Sequence, residues 1–365
     1  MASDPDRALK HIFDLACFER TADALRHAAP ACDADAFLSQ ARDGLEPLSL
    51  MQRMRHMADC LHGVLPAGDT EALDVLRAMG PRMTPAFATL ALCDYIARYR
   101  LHAFDASMQT LRDLTALGTA EYGVRPFLRA DPDRALAHMM RWAGDPDPHV
   151  RRLASEGSRP RLPWSFHLET LATDPDRVGP LLDALKQDDS LYVRKSVANH
   201  LNDITKRHPE WVLARLARWP LDDARCAWIA RHALRTLIKR GDARALALIG
   251  VARDAAVRLV AFDVAPATLR LGERVNVTAT LESTGTHAQK LEVDYAIEYV
   301  KRDGTRRLKV FKLRAFTLAP GARVMLARTQ VVRDFTTRRH YAGRHPVHLI
   351  VNGTTLCQAF FDLEI

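Results

Sequence analysis

The chain has 365 residues, 48% of them hydrophobic, and carries 52 Lys+Arg against 44 Asp+Glu, a formal net charge of +8. This length exceeds one ordinary hydrophobic core and predicts two domains, and the mild basic excess favours a polyanionic partner. The first residues, MASDPDRALK, are of mixed charge, and no long apolar run follows them. We therefore expect neither a signal peptide nor a membrane span.

The six cysteines lie far apart and form no CxxC pair, which excludes the usual zinc and disulfide-exchange motifs. Dispersed cysteines are typical of a reducing compartment, so we expect a cytoplasmic protein. The GxxxxGK[ST], HExxH and GxSxG patterns are absent as well. We expect no metal, nucleotide or other cofactor, and no lysine stands out as a Schiff-base nucleophile.

Residues 1–258 are predicted to be helical, because apolar residues recur every three or four positions, as in ALRTLIKRGDARALALIG. Three segments share an Asp-rich start followed by basic residues: DPDPHVRRLASEG, QDDSLYVRKSVANHL and LDDARCAWIARHAL. Asp-Pro pairs also open ADPDRALAHMM and TDPDRVGPLLDAL. The spacing of about 35–45 residues is that of two-helix repeats, so we predict an α-α superhelix with a concave face.

Residues 259–365 alternate apolar and polar side chains, with Gly, Pro and Asn at the turns, as in VAFDVAPATLRLGERVNVTATLESTG. This is a strand pattern. It continues in LEVDYAIEYV, RRLKVFKLRAFTL, RVMLARTQVV and HPVHLIVNGTTLCQAFFDLEI. About seven strands in this length predict an immunoglobulin-like β-sandwich, and hence an α + β multidomain protein.

Basic residues recur near the start of one predicted helix per repeat, at Arg151, Arg152, Arg194, Lys195 and Arg231. A row of cations along one edge of a superhelix would match the backbone of a nucleic acid. Solvated helix ends would give the same pattern, so both interpretations remain open at this point.

Two segments, HVRRLASEGSRPRLPW and SVANHLNDITKRHPEW, resemble signature segments of the HEAT-like repeat DNA glycosylases that repair alkylated DNA, most of all in the AlkC branch of the AlkC/AlkD family. The order of a helical solenoid and then an immunoglobulin-like domain also resembles that branch. The resemblance implies a monofunctional glycosylase that removes 3-methyladenine, 3-methylcytosine and 1-methyladenine from double-stranded DNA. We expect a monomer, since a DNA clamp needs no partner subunit, acting at the bacterial nucleoid.

Alkylation of a ring nitrogen makes the base cationic and already a good leaving group. What remains is to stabilise the oxocarbenium-like sugar and to orient a water, and carboxylates can do both. The candidate catalytic residues are Glu121, Glu156, Asp203 and the aromatic Trp164, whose indole could face the cationic base.

Each candidate also has a structural interpretation. Glu121 could match a helix dipole, and Glu156 could form an ion pair with Arg152 four residues before it. Asp203 could tie adjacent repeats together, and Trp164 could be a core residue. For the whole chain, the alternative function is a non-catalytic scaffold that binds damaged DNA or a protein partner.

Arginine can hold a phosphate through two parallel hydrogen bonds. The candidate phosphate ligands of the helical domain are Arg152, Arg159 and Arg161, extended in the next repeat by Arg194, Lys195 and Asn199. Such contacts position a protein on DNA without reading its sequence, as an enzyme that finds damage anywhere requires.

The β-domain has an excess of cations of its own. From Val260 to Ile365 there are 16 Lys+Arg against 10 Asp+Glu. The stretch TTRRHYAGRHPVH, from Thr336 to His348, concentrates them, and Arg338, Arg339 and Tyr341 are its candidate DNA-binding residues. Loops at the end of a sandwich commonly carry binding residues, so we expect residues 259–365 to clamp DNA, although a merely solubilising loop would look similar.

Overall fold

The computed structural model describes residues 11–335 and 338–365. Helices occupy the described chain as far as Leu248, and strands run from Val257 to Glu364. The predicted order of a helical region and then a β-sandwich is confirmed. Of the helices in the described ranges, none combines the length and the apolarity that a membrane crossing requires.

The helical region consists of short helices. Within the described residues they are α1 Leu15–Ala28, α2 Ala34–Arg42, α3 Leu50–His62, α4 Asp69–Met79, α5 Thr89–Tyr99, α6 Phe104–Leu114, α7 Arg125–Ala130, α8 Pro132–Trp142, α9 Pro148–Gly157, α10 Glu169–Thr173, α11 Gly179–Ala184, α12 Leu191–Ile204, α13 Pro209–Leu216, α14 Ala224–Ala233, α15 Arg235–Lys239 and α16 Ala243–Leu248. Single 3₁₀ turns lie at His11–Phe13, Gly80–Arg82, Ala86–Ala88, Thr115–Leu117 and Pro175–Val178.

The Asp-rich segments begin helices, as the sequence predicts. The carboxylates of Asp131, Asp147, Asp188 and Asp223 accept hydrogen bonds from backbone N–H groups at the starts of α8, α9, α12 and α14. These N–H groups have no partner inside their own helix, so a side-chain oxygen stabilises the first turn. The shared outline of the three repeats is therefore a shared capping arrangement.

The sandwich has eight strands in the described residues, one more than the approximate prediction. They are β1 Val257–Ala265, β2 Thr268–Arg270, β3 Arg274–Ser283, β4 Gln289–Val300, β5 Arg306–Leu318, β6 Arg323–Val331, β7 Gly343–Val351 and β8 Thr354–Glu364. One sheet has the order β1-β3-β6 and the other β2-β8-β7-β4-β5. Only the short β2 pairs in parallel among the described strand pairs.

The last predicted run, HPVHLIVNGTTLCQAFFDLEI, forms both β7 and β8. The chain reverses at Asn352 and Gly353, whose φ angles are 48° and 80°. Two consecutive positive φ angles match the type I′ turn that Asn-Gly favours in tight hairpins. Apolar residues that alternate along the strands, such as Val275, Val277 and Phe361, are buried between the sheets.

The chain divides into two compact units. One contains the chain to Pro209 and Asp222–Ile229, and the other contains Glu210–Leu221 and Ala230–Ile365. In the second unit the last helical residues and the segment after them contact the sandwich: Arg231 forms an ion pair with Glu292 on β4, and Asn352 Nδ2 donates to Ala252 O at 2.6 Å. The helical residues from Ala230 onward therefore belong to the same compact unit as the strands, although the sequence places them in the helical domain.

Candidate active site

Two neighbouring helices of the first unit, α9 and α12, carry the centre of the site. Their apolar faces, with Leu153 on α9 and Val197 on α12, are buried. His200 of α12 is fully buried, and its Nδ1 lies 3.0 Å from Ser155 O of α9. Burial lowers the pKa of His200 to about 4, with the cationic Arg159 acting in the same direction. The imidazole is therefore a neutral link between the two helices at neutral pH.

Six charged side chains, here called the charge network, alternate in sign beside this helix pair. They are Glu121, Arg152, Glu156, Arg159, Asp203 and Lys206. The three predicted catalytic carboxylates are all members and all buried. The structure thus brings together residues that lie more than 80 positions apart in the chain.

Glu121 lies in the turn that precedes α7. Its Oε2 accepts a hydrogen bond from Thr119 Oγ1 at 2.9 Å and forms an ion pair with Nη1 of Arg152. The other terminal nitrogen of Arg152 lies 3.6 Å from Glu156 Oε1. Arg152 therefore stands between two carboxylates, and the predicted ion pair with Glu156 is the weaker of its two contacts.

Both oxygens of Glu156 are occupied. Oε1 accepts from Arg159 Nη1 at 2.6 Å, and Oε2 accepts from Ser196 Oγ at 2.6 Å. Arg159 also donates from Nε to Asp203 Oδ2 at 2.9 Å, and Lys206 Nζ donates to Asp203 Oδ1 at 2.8 Å. Charge-assisted hydrogen bonds of this kind fix the orientation of a carboxylate.

The electrostatics of the network follow from burial. Burial alone would lower the pKa of Arg159, but Glu156 and Asp203 outweigh it, and the net direction is upward. The guanidinium stays charged and holds both carboxylates in place. Oriented charges in a partly dry site stabilise positive charge that develops beside them without reorganising, which suits a reaction that passes through a cationic sugar.

Trp164 lies in the loop between α9 and α10. Its side chain is 64% exposed, so the core interpretation does not hold. Its φ of 63° falls in the left-handed region, which is strained for a bulky residue and is often found at functional sites. Pro160 and Pro163 limit the backbone freedom of the same loop.

The predicted phosphate ligands of this loop differ in their surroundings. Arg159 is 9% exposed and binds two carboxylates, so a phosphate would have to displace one of them. Arg152 is likewise occupied by Glu121. Their placement is at odds with a phosphate grip. Arg161 is half-exposed and has no ion pair or hydrogen bond within residues 11–335 and 338–365, so it is available to a phosphate.

In the next repeat, Arg194 is partly occupied: its Nη1 donates to Asp188 O and to Asp189 O, both at 2.8 Å. Lys195 is exposed and Asn199 is half-buried. Of this predicted group, Lys195 is therefore the residue that solvent or a phosphate reaches most easily.

Two other cations of the predicted row are occupied by carboxylates. Arg151 Nε donates to Asp188 Oδ2 at 2.6 Å, and Arg231 pairs with Glu292 in the second unit. Their recurrence along the sequence reflects ion pairs within the fold as much as a surface for DNA.

Several residues of the site were not predicted. Ser196 lies seven residues before Asp203 on α12, and this spacing of two helical turns is the one signal that could have placed both on one face. Thr119 and Tyr192 gave no such signal. The Tyr192 ring lies 5.2 Å from the Arg152 guanidinium and is partly exposed, so it borders the charge network.

In the sandwich, the predicted loop lies next to a cavity of about 580 Å³. Its lining is aromatic and cationic: Tyr299, Val300, Lys301, Arg307, Leu308, Lys309, Phe335, Arg338, Arg339 and Tyr341. Thr336 and Thr337 of the predicted stretch fall outside the described residues. The Arg338 guanidinium lies 5.2 Å from the Tyr299 ring and 5.0 Å from the Phe335 ring. Burial lowers the pKa of Lys309, and Arg338 adds to the effect.

The described part of the chain contains no group of three His, Cys, Asp or Glu side chains that could hold a metal ion. Residues 71–237 match the family model described as "DNA alkylation repair enzyme". Residues 258–365 match the model of the C-terminal Ig-like domain of the protein YhaZ.

Two relatives match nearly the whole chain. The "Uncharacterized protein YhaZ" of Bacillus subtilis (strain 168) is 37% identical over 346 residues, which is 94% of this chain and 96% of that protein. The structure of Pseudomonas fluorescens alkylpurine DNA glycosylase AlkC, bound to DNA containing an abasic site analog, matches with a TM-score of 0.94 and 50% identity over 98% of this chain and 99% of that one. Since identity and coverage extend over both the helices and the sandwich, the chain belongs to the AlkC branch of the DNA alkylation repair enzymes, a family of DNA glycosylases.

Proposed function

We propose that this protein hydrolyses the N-glycosidic bond of cationic alkylated bases in double-stranded DNA, with 3-methyladenine, 3-methylcytosine and 1-methyladenine as substrates. The AlkC relative is an alkylpurine DNA glycosylase that was solved on DNA containing an abasic site analog. An abasic site is the product that such a hydrolysis leaves. We place this activity in the bacterial cytoplasm, with no cofactor.

The chemistry divides into two steps. The C1′–N bond breaks, its electron pair leaves with the base, and the formerly cationic base departs neutral while the sugar becomes an oxocarbenium-like cation. A water oxygen then bonds to C1′, and a carboxylate or solvent takes its proton. A neutral base would have to leave as an anion, so a site without a strong general acid selects alkylated bases by chemistry.

One observation carries the proposal: the charge network contains three buried, hydrogen-bonded carboxylates, and the loop that carries Arg159 also carries the exposed Trp164. We assign Glu121 and Glu156 to stabilising the sugar cation and orienting the water. Asp203 supports them through Arg159. We assign the Trp164 indole to the cationic base or the sugar edge, a contact of about 0.5–2 kcal/mol.

The grip on DNA is assigned to other residues. In the helical domain, residues 1–258, we assign phosphate contacts to Arg161 and Lys195, with Arg194 and Asn199 beside them. Arg152 and Arg159 hold carboxylates instead. In the sandwich, residues 259–365, the cationic cavity that Arg338, Arg339 and Tyr341 line is the proposed DNA contact, and we expect the protein to act as a monomer.

The test is single-turnover excision from duplex DNA that carries one 3-methylcytosine, with the released base identified by mass spectrometry. We expect Glu156→Gln and Glu121→Gln to slow excision at least about tenfold, since each removes negative charge where positive charge develops. Binding to undamaged duplex should change little. The matched control is Glu210→Gln, which alters an exposed glutamate that pairs with Arg244 and with no member of the charge network.

Wild-type rates in both network variants would overturn the assignment of the carboxylates. Absence of any released base from the wild-type protein, with binding to alkylated DNA retained, would instead support a binding scaffold.

A further inference from the structure

Arg125, the first residue of α7, is a fully buried cation, 0% exposed. Its guanidinium donates hydrogen bonds to backbone carbonyls: from Nη1 to Gly157 O at 3.0 Å and to Arg159 O at 2.8 Å, and from Nη2 to Phe166 O. Burial lowers the pKa of Arg125 to about 10, and the nearby guanidinium of Arg159 acts in the same direction. Burying a charge whose hydrogen bonds reach only neutral carbonyls costs free energy of folding. Stability alone therefore does not account for the contacts that Arg125 makes.

The three carbonyls bracket the irregular loop between α9 and α10, residues 158–168. Gly157 and Arg159 lie where the loop begins, and Phe166 lies near its end. Phe166 has a second contact with a cation: the guanidinium of Arg129 lies 3.4 Å from the centre of its ring. A single side chain, Arg125, therefore joins the two ends of the loop.

This loop carries two side chains of the candidate active site. Arg159 reaches from its beginning to Glu156 and Asp203. Trp164 projects from its far half with a φ of 63°. A shift of the loop backbone would displace both side chains relative to the carboxylates on α9 and α12.

We propose that Arg125 is a positioning residue for base excision, which fixes the loop backbone so that Arg159 and Trp164 stay in register with the carboxylates. The inference rests on the function proposed above. Arg125 touches neither DNA nor the reacting atoms, because it is buried beneath the loop. Its effect is on the geometry of the reacting complex, where a displacement of about 1 Å can cost about 100-fold in rate.

The chain supplies a matched control in Arg53 of α3. Arg53 is 2% exposed, and its guanidinium also donates to three carbonyls, those of Leu48, Phe13 and Glu46. Substitution of Arg53 therefore removes three buried hydrogen bonds of the same type, together with a 3.6 Å ion pair to the exposed Glu46, in a part of the first unit that carries no residue of the charge network.

The experiment compares Arg125→Met, Arg125→Lys and Arg53→Met in the full chain. We expect Arg125→Met to slow single-turnover excision of 3-methylcytosine about 10- to 100-fold while the Kd for undamaged duplex stays within about threefold. Arg53→Met should lower the thermal midpoint by a similar amount but keep the wild-type excision rate. Lysine should restore part of the rate, because an ammonium can reach some of the carbonyls but lacks the planar fork of arginine.

A second readout reports the loop itself. Arg161 is half-exposed and followed by leucine, so trypsin can cut there when the loop opens, whereas the bond after Arg159 is protected by Pro160. Native-state cleavage follows local opening. We expect Arg125→Met to speed cleavage after Arg161, as identified by fragment mass, and Arg53→Met to leave it unchanged.

Equal excision rates in Arg125→Met and Arg53→Met would overturn the inference, as would unchanged cleavage after Arg161. If Arg125→Met fails to fold, the pair Arg125→Lys and Arg53→Lys decides by the same readouts. The proposed function is tested separately, because it fails if the wild-type protein releases no base. Normal excision by Glu156→Gln and Glu121→Gln refutes only the assignment of the carboxylates, and slow Glu156→Gln with normal Arg125→Met refutes only the positioning role.

Discussion

Arg159 and Asp203 lie 44 residues apart in the chain, yet Nε of the first donates to Oδ2 of the second at 2.9 Å. The same guanidinium donates to Glu156 at 2.6 Å. One side chain from the loop after α9 thus pairs with two buried carboxylates, one on α9 and one on α12. This contact ties adjacent repeats together while it orients the carboxylates of the candidate active site.

Removal of the Arg159 guanidinium should therefore lower the stability of the folded protein. Arg159→Met keeps the approximate length of the side chain but leaves two buried carboxylates without their main partner, which typically costs about 3–5 kcal/mol. We expect a lower thermal midpoint, and we expect the double variant Arg159→Met with Glu156→Gln to recover part of it, because one of the uncompensated charges is then gone.

The matched variant is Arg161→Met, which should leave the thermal midpoint unchanged. It should instead weaken binding to damaged and undamaged duplex alike and reduce the salt dependence by about one counterion. If Arg159→Met behaves like Arg161→Met in both measurements, then Arg159 is a phosphate ligand, as the sequence alone suggested.

The three carboxylates that the structure brings together could be singled out from the sequence, but the contacts of the arginines could not. Glu121, Glu156 and Asp203 follow from the family resemblance and from the chemistry of a cationic leaving group. Whether an arginine faces DNA or a carboxylate depends on burial and on contacts between repeats, such as that of Arg159 with Asp203. Local sequence patterns do not contain this information.

The fold, too, could be predicted from the sequence only in part. Helix and strand periodicities predicted the order of the elements, but they did not divide the last strand-like run, which reverses at Asn352 and Gly353. The grouping of the last helices with the sandwich depends on single distant contacts, such as Arg231 of α14 with Glu292 of β4. No periodicity predicts a contact of that kind.

A second prediction concerns the close approach of α9 to the turn that carries Glu121. A Cβ atom added at Gly157 would overlap the Val124 side chain and would lie 3.4 Å from Met139 Cε and 3.8 Å from Glu121 O. Gly157→Ala should push the end of α9 away from that turn. We expect single-turnover excision to fall about tenfold or more, because the two glutamates lose their relative placement, with little change in DNA affinity.

Gly144→Ala is the control for this variant. Its added Cβ would meet only Arg141 O, at an ordinary 3.7 Å. Similar excision rates in the two alanine variants would show that the spacing between α9 and the Glu121 turn does not matter for the reaction.

A third prediction concerns stability against pH. The pKa of the buried His200 is lowered from 6.5 to about 4, so the folded protein holds the imidazole neutral. As the pH falls through about 6.5 the unfolded chain binds a proton that the folded chain does not bind until about pH 4. The contribution to stability is therefore complete above pH 6.5 and is lost progressively down to pH 4, by about 3 kcal/mol.

The measurement is the thermal midpoint between pH 7.5 and pH 4 for the wild type and for His200→Asn. The asparagine amide can still donate to Ser155 O but does not titrate in this range. We expect the wild type to lose more stability on acidification than the variant does, although the variant starts lower because it leaves a cavity. Parallel curves would mean that His200 binds its proton over the same pH range in the folded and unfolded chains, and so that burial does not lower its pKa.

The last prediction concerns the cationic cavity of the sandwich. The lining of this cavity includes five Lys or Arg side chains and no acidic residue, so like charges are held close together and an anion would relieve their repulsion. We expect the triple variant Arg338→Ala, Arg339→Ala and Tyr341→Ala to bind DNA much more weakly and to excise bases more slowly below saturation. Because the variant removes two cations that we assign to phosphates, the slope of log affinity against log salt should fall by about two.

Point variants test this DNA contact more cleanly than removal of the sandwich. A chain that ends near Arg258 would also lose the strands that contact the segment after Ala230, where Arg231 pairs with Glu292 and Asn352 Nδ2 donates to Ala252 O at 2.6 Å. The control is Arg258→Ala with Arg323→Ala, which removes the same charge from the three-stranded sheet, where both arginines pair in register with Glu282. Equal effects in the two variants would show that only the net charge of the domain matters, whereas weaker binding confined to the triple variant would identify the cavity as a DNA contact.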